Sequence, residues 1–473
     1  MKNSKFKINL KREMEFTVPK EILNSRIKNI QKRIGRTEIV ILFSNVILDK
    51  PNSIYFEFRQ NSDFFYLTGM EIRPAVLLIL KEEVLLFYDN PNPKEEIWTG
   101  IQPDHQEIKK YLDYLSVIFS YDEFKNKLLE YLKNKTKIYY PFGLNSHFDV
   151  WLLEILESKM RKGRTGIFYP YSIEHSNTLM FELRIIKSDY EIRTIKEIME
   201  ITKEAHLNVW KYAKPNLKEY ELDSLIWKTF KKYNAKPAYP NIVASGPNAC
   251  ILHYTKNSRT IKENDLVLID AGASKFYLNT DITRTFPANG TFNPIQKFLY
   301  EVVLTAQTKA IEKVTIGNCM EDAHYAALSV IIDFLKQEKI LEGSIEEIIE
   351  KETYHQFYPH RTGHWLGYDV HDSGFYLCYT NSKKNLYCKN ELHSQLQKES
   401  RSIDYRKFES NMICTVEPGL YFPYASKKVP KEWLGIGIRI EDDVLVTKTK
   451  PIVLSKDIPK ETSDIETIMQ LPS

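Results

Sequence analysis

A change of sequence pattern between residues 172 and 190 most constrains how this chain can fold. Before it, short apolar segments typical of buried strands alternate with segments of helical periodicity. After it, Ser188 and Glu191 have the spacing of a capping box and begin a long amphipathic helix. The chain has 473 residues, and a single hydrophobic core stops growing near about 250–300 residues. We therefore expect two domains, residues 1–178 and 179–473.

The first domain alternates strands and helices. Apolar, partly β-branched segments bounded by turn residues predict strands at 37–45, 75–80, 84–89 and 137–143. Apolar residues at helical spacing predict helices at 122–134 and 149–160. Alternation of this kind is typical of an α/β layer domain.

The second domain begins with helices and continues with strands. After the capped helix, residues 217–233 predict a second helix, and β-type segments follow. Two further helices are expected at 294–314 and 321–339, and only strand and loop from about residue 354. The polar, weakly patterned stretch 375–410 predicts a long insertion at the surface.

Composition narrows the functional classes. Lys and Arg total 66, and Asp and Glu total 62, a net charge of +4 that predicts no nucleic-acid or membrane partner. The longest strongly apolar run, 75–80, is far shorter than the roughly 20 residues of a membrane span. The five cysteines are odd in number and none is spaced as CxxC, which argues against a disulfide framework and against a zinc-thiolate site. We expect a cytoplasmic protein.

Two carboxylates follow apolar segments. Asp270 ends LVLID, where an acidic side chain is costly unless it is paired or binds a metal. If a hairpin turns at Lys275–Phe276, Asp281 lies directly opposite Asp270, with about 5 Å between the Cβ atoms. Two carboxylates that close hold a proton or a cation between them. The alternative is that both are solvated on the surface of the hairpin.

Two more acidic residues have the same character. In GIGIRIEDDVLV, the alternation of a strand puts Arg439 and Glu441 on the face opposite to that of the isoleucines. Glu417 ends the apolar segment of ICTVEPGLY, just before Pro-Gly. Both carboxylates are therefore candidates for the same site.

The histidines are concentrated in one segment. The chain has 11, and four of them lie between residues 355 and 371: His355, His360, His364 and His371. Glycines within the segment argue against a regular helix, so we expect strand or loop. A lone histidine is more often structural than a ligand, but a cluster in a histidine-poor chain favours a site.

Together these residues form a candidate metal site with one nitrogen and four oxygen ligands. The set is Asp270, Asp281, His364, Glu417 and Glu441. Carboxylate-rich ligands with one imidazole suit divalent ions such as Mn²⁺, with Co²⁺, Fe²⁺ or Zn²⁺ as alternatives. Two such ions would balance the four negative charges.

The segments that carry these residues resemble a known family. DAG, DITRTFP, HWLGYDVHD, TVEPGLY and GIRIEDD occur in the order of the pita-bread metallopeptidases, and they resemble aminopeptidase P most closely. FRQNSDFFYLTG and EIWTG resemble its amino-terminal domain, and IVASGPNACILHYT resembles the substrate-side loop of its catalytic domain. The resemblance implies an amino-terminal α/β domain, serving oligomerisation or substrate access, followed by a pita-bread α+β catalytic domain.

The resemblance also implies residue roles. Asp270 would chelate one ion, Asp281 and Glu441 would bridge two ions, and His364 and Glu417 would complete the second. Other positions match residues of the family that contact substrate or support the site: His253, His360, His371, Tyr239 and Arg439. Trp98 matches a residue that can reach the active site of a neighbouring subunit.

The implied activity is removal of the first residue from peptides with proline at the second position. A hydroxide between the two ions would attack the peptide carbonyl, with Glu417 as the proton shuttle. The resemblance implies a homodimer or homotetramer. The alternatives are a prolidase, which the insertion 375–410 favours because a lid could restrict access to dipeptides, and a catalytically inactive binding module of the same fold. Methionine aminopeptidase would not usually carry the leading domain, and creatinase lacks the ligand set.

Overall fold

Two compact units make up the chain, Met1–Leu183 and Arg184–Ser473, which we call the first and the second unit. The computed structural model describes residues 16–45, 49–50, 54–55, 57–161, 166–378, 387–388 and 404–471. The boundary expected near residue 178 falls within the helix Asn177–Arg184. In the part of the chain that the structure describes, no helix combines the length and apolar character that a membrane span needs.

The first unit is an α/β layer structure, as predicted. Its strands are β1 Glu38–Phe43, β2 Asp49–Lys50, β3 Ile54–Tyr55, β4 Ala75–Ile79, β5 Val84–Tyr88, β6 Val117–Phe119, β7 Lys137–Tyr140 and β8 Ser172–His175. Its helices are α1 Lys20–Arg33, α2 Ser62–Thr68, α3 Pro93–Thr99, α4 His105–Tyr111, α5 Phe124–Tyr131, α6 Ser146–Met160 and α7 Asn177–Arg184, whose last residue belongs to the second unit. Each strand and helix predicted here is present.

A six-stranded mixed sheet forms the centre of the first unit, in the order β6-β5-β4-β1-β7-β8. β1 pairs antiparallel with β4 and parallel with β7. Successive residues such as Val40 and Ile41 are both fully buried, so the sheet is covered on both faces. Burial on both faces explains why these strands have continuous apolar runs rather than alternation.

The second unit contains six described helices and many short antiparallel strands. Its helices are α8 Asp189–Tyr212, α9 Glu219–Lys232, α10 Pro294–Lys313, α11 Met320–Gln337, α12 Ile345–Glu350 and α13 Thr462–Met469. Its strands are β9 Lys236–Pro237, β10 Ile242–Ser245, β11 Leu266–Asp270, β12 Ala273–Lys275, β13 Leu278–Asn279, β14 Thr283–Pro287, β15 Leu377–Cys378, β16 Tyr387–Cys388, β17 Asp404–Arg406, β18 Ile413–Val416, β19 Gly419–Phe422, β20 Ile436–Arg439, β21 Asp442–Leu445 and β22 Ile452–Val453.

The capping box predicted at the start of α8 is present. The Ser188 N–H donates to Glu191 Oε2 at 2.8 Å, and the Ser188 hydroxyl accepts the Glu191 N–H. One face of α8 is buried, including Ile195, Ala205 and Trp210, and it packs against α9 and the β12–β13 hairpin. The helix therefore supports, from behind, the hairpin that links Asp270 to Asp281.

The register predicted for that hairpin is wrong. Its turn lies at Phe276–Tyr277, because Lys275 pairs with Leu278, and Asp270 therefore lies opposite Thr283 rather than Asp281. Continuing this register puts Asp281 opposite Gly272, so the two carboxylates share a face but are diagonal neighbours. Phe276 and Tyr277 both have positive φ, a conformation whose usual signal is Asn-Gly, and that signal is missing here.

Two other expectations for the second unit need correction. The segment expected to contain only strand and loop ends with α13, a short helix with two buried residues, Thr462 and Ile465. The strand expected over GIGIRIEDDVLV is interrupted at residues 440–441, because β20 pairs with β19 whereas β21 pairs with β18. Most of the insertion 375–410 lies outside the described residues; β15, β16 and β17 form a small sheet at its described parts.

Candidate metal and active site

Four strand ends and one loop of the second unit bring the predicted ligands to one place. Asp270 is the last residue of β11, Asp281 precedes β14, and His364 lies in the loop after α12. Glu417 lies between β18 and β19, and Glu441 lies between β20 and β21. A strand that ends or changes partner frees its side chain from the regular sheet, so all five can face the same centre.

Short distances join these residues. His364 Nε2 lies 3.3 Å from Asp281 Oδ2 and 3.7 Å from Glu417 Oε1. Ligand atoms of Asp281, His364 and Glu441 all lie within 4.8 Å of one another. Arg439 Nη2 is 2.5 Å from Asp270 Oδ2. The structure thus brings the predicted ligands together, with Arg439 beside them.

Thr283 connects Glu441 to Arg439, and it was not among the predicted site residues. Its hydroxyl donates to Glu441 Oε2 at 2.8 Å and accepts from Arg439 Nε at 3.2 Å. The signal was available: Thr283 follows Asp281 by two residues, so both lie on the same face of the strand. Asp443 was also missed; its Oδ2 accepts the Asp281 N–H at 3.1 Å.

The orientation of His364 fits a metal ligand. Its Nδ1 lies 3.0 Å from the Trp365 carbonyl oxygen, which can only accept, so Nδ1 carries a proton. Nε2 is then the atom that faces the carboxylates of Asp281 and Glu417. A lone pair facing carboxylates needs a proton or a cation between them, and without a cation the pKa of His364 rises to about 9. Burial opposes this rise, but the hydrogen bond to Asp281 and the charge of Glu417 outweigh it.

The contacts of the Tyr239 hydroxyl also favour a bound cation. It lies 2.5 Å from Asp270 Oδ1 and also contacts Asp281 Oδ1. Burial and the charge of Asp270 raise the pKa of Tyr239 well above its usual value, so the hydroxyl keeps its one proton. One proton can satisfy only one of the two carboxylates, and the remaining acceptors again favour a bound cation.

The carboxylates carry more negative charge than the protein balances. Burial raises the pKa of Asp270, Glu417 and Glu441; Arg439 opposes this rise and Asp281 adds to it. The pKa of Glu417 reaches about 7, and that of Glu441 lies well above its usual range. Divalent cations would relieve this repulsion, so the donor set and its charge fit a carboxylate-rich metal site.

The other histidines of the segment have different surroundings. His371 stacks on His364 with 4.1 Å between the ring centroids and is exposed. His360 Nε2 lies 2.8 Å from the Tyr421 hydroxyl, and burial and Arg439 lower the pKa of His360 to about 3. His355 lies outside the cluster, where its Nδ1 is 3.7 Å from Glu352.

Two predicted residues remain, one in each unit. His253 is exposed; burial is the main cause that lowers the pKa of His360 and His371, and His253 contributes to both shifts, which puts it near them. Trp98 lies on α3 of the first unit with 87% of its surface exposed. Its role toward a neighbouring subunit stays a prediction.

Comparison with known proteins assigns the family. The model for metallopeptidase family M24 matches residues 193–448, more than half of the chain. The chain belongs to metallopeptidase family M24. A second model, for the aminopeptidase P amino-terminal domain, matches residues 23–140. The expected order of domain types in this M24 protein is therefore confirmed.

Relatives of this M24 protein match nearly its whole length. It is 35% identical to the Xaa-Pro aminopeptidase of Haemophilus influenzae over 96% of this chain and 98% of that protein. It is 33% identical to the Xaa-Pro aminopeptidase of Escherichia coli, covering 88% and 89%. The structure of Pseudomonas aeruginosa aminopeptidase PepP superposes with a TM-score of 0.85 at 34% identity, covering 96% and 99%.

Proposed function

We propose that this chain is a metal-dependent aminopeptidase that hydrolyses the bond between the first residue of a peptide and a following proline. The observation that carries the proposal is the buried cluster of four carboxylates and His364 in a chain of the M24 family. The relatives named Xaa-Pro aminopeptidase, matched over almost their full length, support the substrate class.

Asp270, Asp281, His364, Glu417 and Glu441 would hold two divalent cations, for which we propose Mn²⁺. The charge balance supports two ions, because a single ion would leave the carboxylates in excess. The oxygen-rich donor set supports a hard ion such as Mn²⁺ over a thiolate-preferring ion. Bound there, the ions would supply an acidified water and a polarised peptide carbonyl.

The residues of this chain would perform the proton transfers and the positioning. Glu417 has a pKa of about 7 and an exposed edge, which suits a group that takes a proton from water and passes it to the leaving nitrogen. His253 and His371 are exposed beside the cluster, where their N–H groups would donate to the substrate carbonyl oxygen as charge develops on it. Arg439 would hold Asp270 in place through their ion pair.

The proline requirement would be met at the wall beside the cluster. Because the scissile nitrogen belongs to the proline ring, it has no N–H, and the site must accept a kinked bond. We propose that His360 and Tyr239 border this position; the bond from His360 to Tyr421 supports a fixed wall there. We further propose that the protein acts in the cytoplasm as a homodimer or homotetramer, in which the exposed Trp98 would meet a neighbouring subunit.

The test compares substrates and one variant. Protein loaded with Mn²⁺ should cleave Xaa-Pro-Xaa tripeptides faster than Xaa-Ala-Xaa tripeptides or Xaa-Pro dipeptides. Cleavage of the dipeptide alone would instead indicate a prolidase. Glu441→Ala should lose most of the activity and bind less Mn²⁺ in titration calorimetry, whereas Glu432→Ala, at an exposed residue of the same unit, should change neither. Unchanged turnover in Glu441→Ala would refute the ligand assignment.

A further inference from the structure

A buried carboxylate at the start of α9 contacts the loop that carries His253. Glu219 is the first residue of α9 and is fully buried. The loop runs from residue 246 to 258, between β10 and β11, and we call it the His253 loop. No metal ligand proposed above lies in it, yet it delivers a histidine to the edge of the cluster. What holds this loop therefore decides where His253 lies.

Glu219 accepts hydrogen bonds from four residues of this region. Its Oε1 accepts from the Ser245 N–H at 2.8 Å, the Ser245 hydroxyl at 2.7 Å and the Asn248 amide at 3.1 Å. Its Oε2 accepts from the Tyr254 hydroxyl at 2.8 Å and the Arg259 N–H at 2.8 Å. A buried carboxylate is stable only when hydrogen bonds of this kind replace those to water.

These partners bracket the His253 loop. Ser245 and Arg259 flank its two ends, whereas Asn248 and Tyr254 lie within it. Tyr254 directly follows His253 in the chain. A single carboxylate group thus joins both ends of the loop to the residue next to the histidine.

The His253 loop also packs against the strand of Arg439. A side chain at Gly437 on β20 would overlap the Ala249 carbonyl, so only glycine allows this close approach. The Cys250 thiol lies 3.3 Å from the Ile436 carbonyl oxygen. The loop therefore contacts both Glu219 and β20, which leads to Glu441.

We propose that Glu219 is a positioning residue for the peptidase reaction, which acts by holding the His253 loop so that His253 can contact substrate. The inference rests on the proposed function. Glu219 itself does not reach the cluster; its effect passes through Tyr254 and the loop backbone. In Glu219→Gln, the new amide N–H₂ group would face donors such as the Arg259 N–H. Neither group can accept a hydrogen bond, so this contact is lost.

The first test measures the loop without using activity. In Glu219→Gln, amide hydrogen exchange of peptides covering 245–259 should become about tenfold faster, since buried hydrogen bonds to a charged group are lost. Glu221→Gln is the matched control: Glu221 lies in the same turn, and its carboxylate accepts only the Lys218 N–H among the described contacts. Its exchange in this region should be unchanged. Unchanged exchange in Glu219→Gln would overturn the proposal.

Tyr254→Phe provides a milder second variant if Glu219→Gln does not fold. It removes one donor to Oε2 and keeps the ring, which packs against buried apolar residues of β10, β11 and the His253 loop. Exchange in the His253 loop should again rise, with no change in Mn²⁺ binding. A rise spread evenly over the second unit would instead show a general loss of stability and would overturn the positioning role.

The second test is a kinetic cycle with His253→Ala. Glu219→Gln alone should lower kcat/KM for an Xaa-Pro-Xaa peptide by about tenfold. In the His253→Ala background it should change kcat/KM by less than about twofold, because the residue through which it acts is missing. Equal losses in both backgrounds would refute the inference. A wild-type protein without peptidase activity would refute the proposed function, and the exchange experiment would still decide the role of Glu219.

Discussion

Replacing Asp372 with asparagine tests whether a buried ion cluster holds the segment that carries His371. The Asp372 carboxylate has no exposed surface and lies 2.5 Å from Arg184 Nη2 and 2.9 Å from Lys187 Nζ. Arg184 also pairs with Asp369, at 2.6 Å, so two positive charges meet two negative charges. The Asp372 N–H donates to the Trp365 carbonyl, which ties the cluster to the backbone beside His364.

The expected cost follows from this charge count. At an effective dielectric of about 20, each contact of Asp372 is worth roughly 6 kcal/mol before desolvation, which cancels much of it. In Asp372→Asn, Arg184 keeps its contact with Asp369, whereas Lys187 loses its contact with a carboxylate, and the Asn amide faces a donor. We expect the free energy of unfolding of the second unit to fall by about 3–5 kcal/mol, the usual cost of breaking a buried pair.

Urea unfolding of the metal-free protein, followed by tryptophan fluorescence, measures this loss. Asp369→Asn is the matched control; its side chain is 38% exposed, so it should cost at most about 1 kcal/mol. Adding Lys187→Met to Asp372→Asn restores one cation to one carboxylate and should recover at least half of the loss. A double variant as unstable as the sum of the two single variants would refute the reasoning.

Three further predictions concern other parts of the second unit. Burial and the nearby His355 lower the pKa of His324 to about 4 in the folded protein. Because this pKa lies below the unfolded value, the free energy of unfolding is unaffected by His324 above about pH 6.5 and falls by about 1.4 kcal/mol per pH unit from there toward pH 4. Acid titration of His324→Gln should show a smaller loss. A side chain at Gly272 would overlap the Thr280 carbonyl oxygen, so Gly272→Ala should lower the thermal midpoint sharply in calorimetry, whereas Gly35→Ala, which meets only ordinary contacts, should not. Removing the metal with a chelator should lower the melting temperature of the second unit. Mn²⁺ at 100 times its Kd should raise the free energy of unfolding of the metal-free protein by about 2.7 kcal/mol. Equal melting temperatures with and without Mn²⁺ would contradict the metal site.

The candidate site was accessible from the sequence because its residues break local rules. Asp270 and Glu417 end apolar segments, where a carboxylate is costly, and the histidines cluster in a histidine-poor chain. The family resemblance grouped these residues into a ligand set. In the structure, His364 Nε2 lies 3.3 Å from Asp281 Oδ2 and 3.7 Å from Glu417 Oε1. Thr283 was missed because a threonine in a strand breaks no such rule; its place two residues after Asp281 was the signal that it offered.

What could not be predicted depends on contacts between distant segments. The hairpin register was predicted wrongly because the turn residues Phe276 and Tyr277 have positive φ, which glycine or asparagine usually signals in a sequence. The interruption of the strand near Glu441 arises because β20 and β21 find different partners, β19 and β18. The residues of these segments alone determine neither the hairpin register nor the pairing partners of β20 and β21.

The sequence by itself determined the α/β alternation of the first unit, the capped start of α8 and the chemical identity of the candidate ligands, because periodicity, capping and the cost of burying a charge act over a few neighbouring residues. Only the tertiary structure decided which carboxylates face His364 and how Glu219 holds the His253 loop. It also decided that Asp372 joins Arg184 and Lys187 in one buried cluster. Hydrogen bonds and ion pairs of this kind join residues far apart in the chain, so they exist only once packing has brought their partners together.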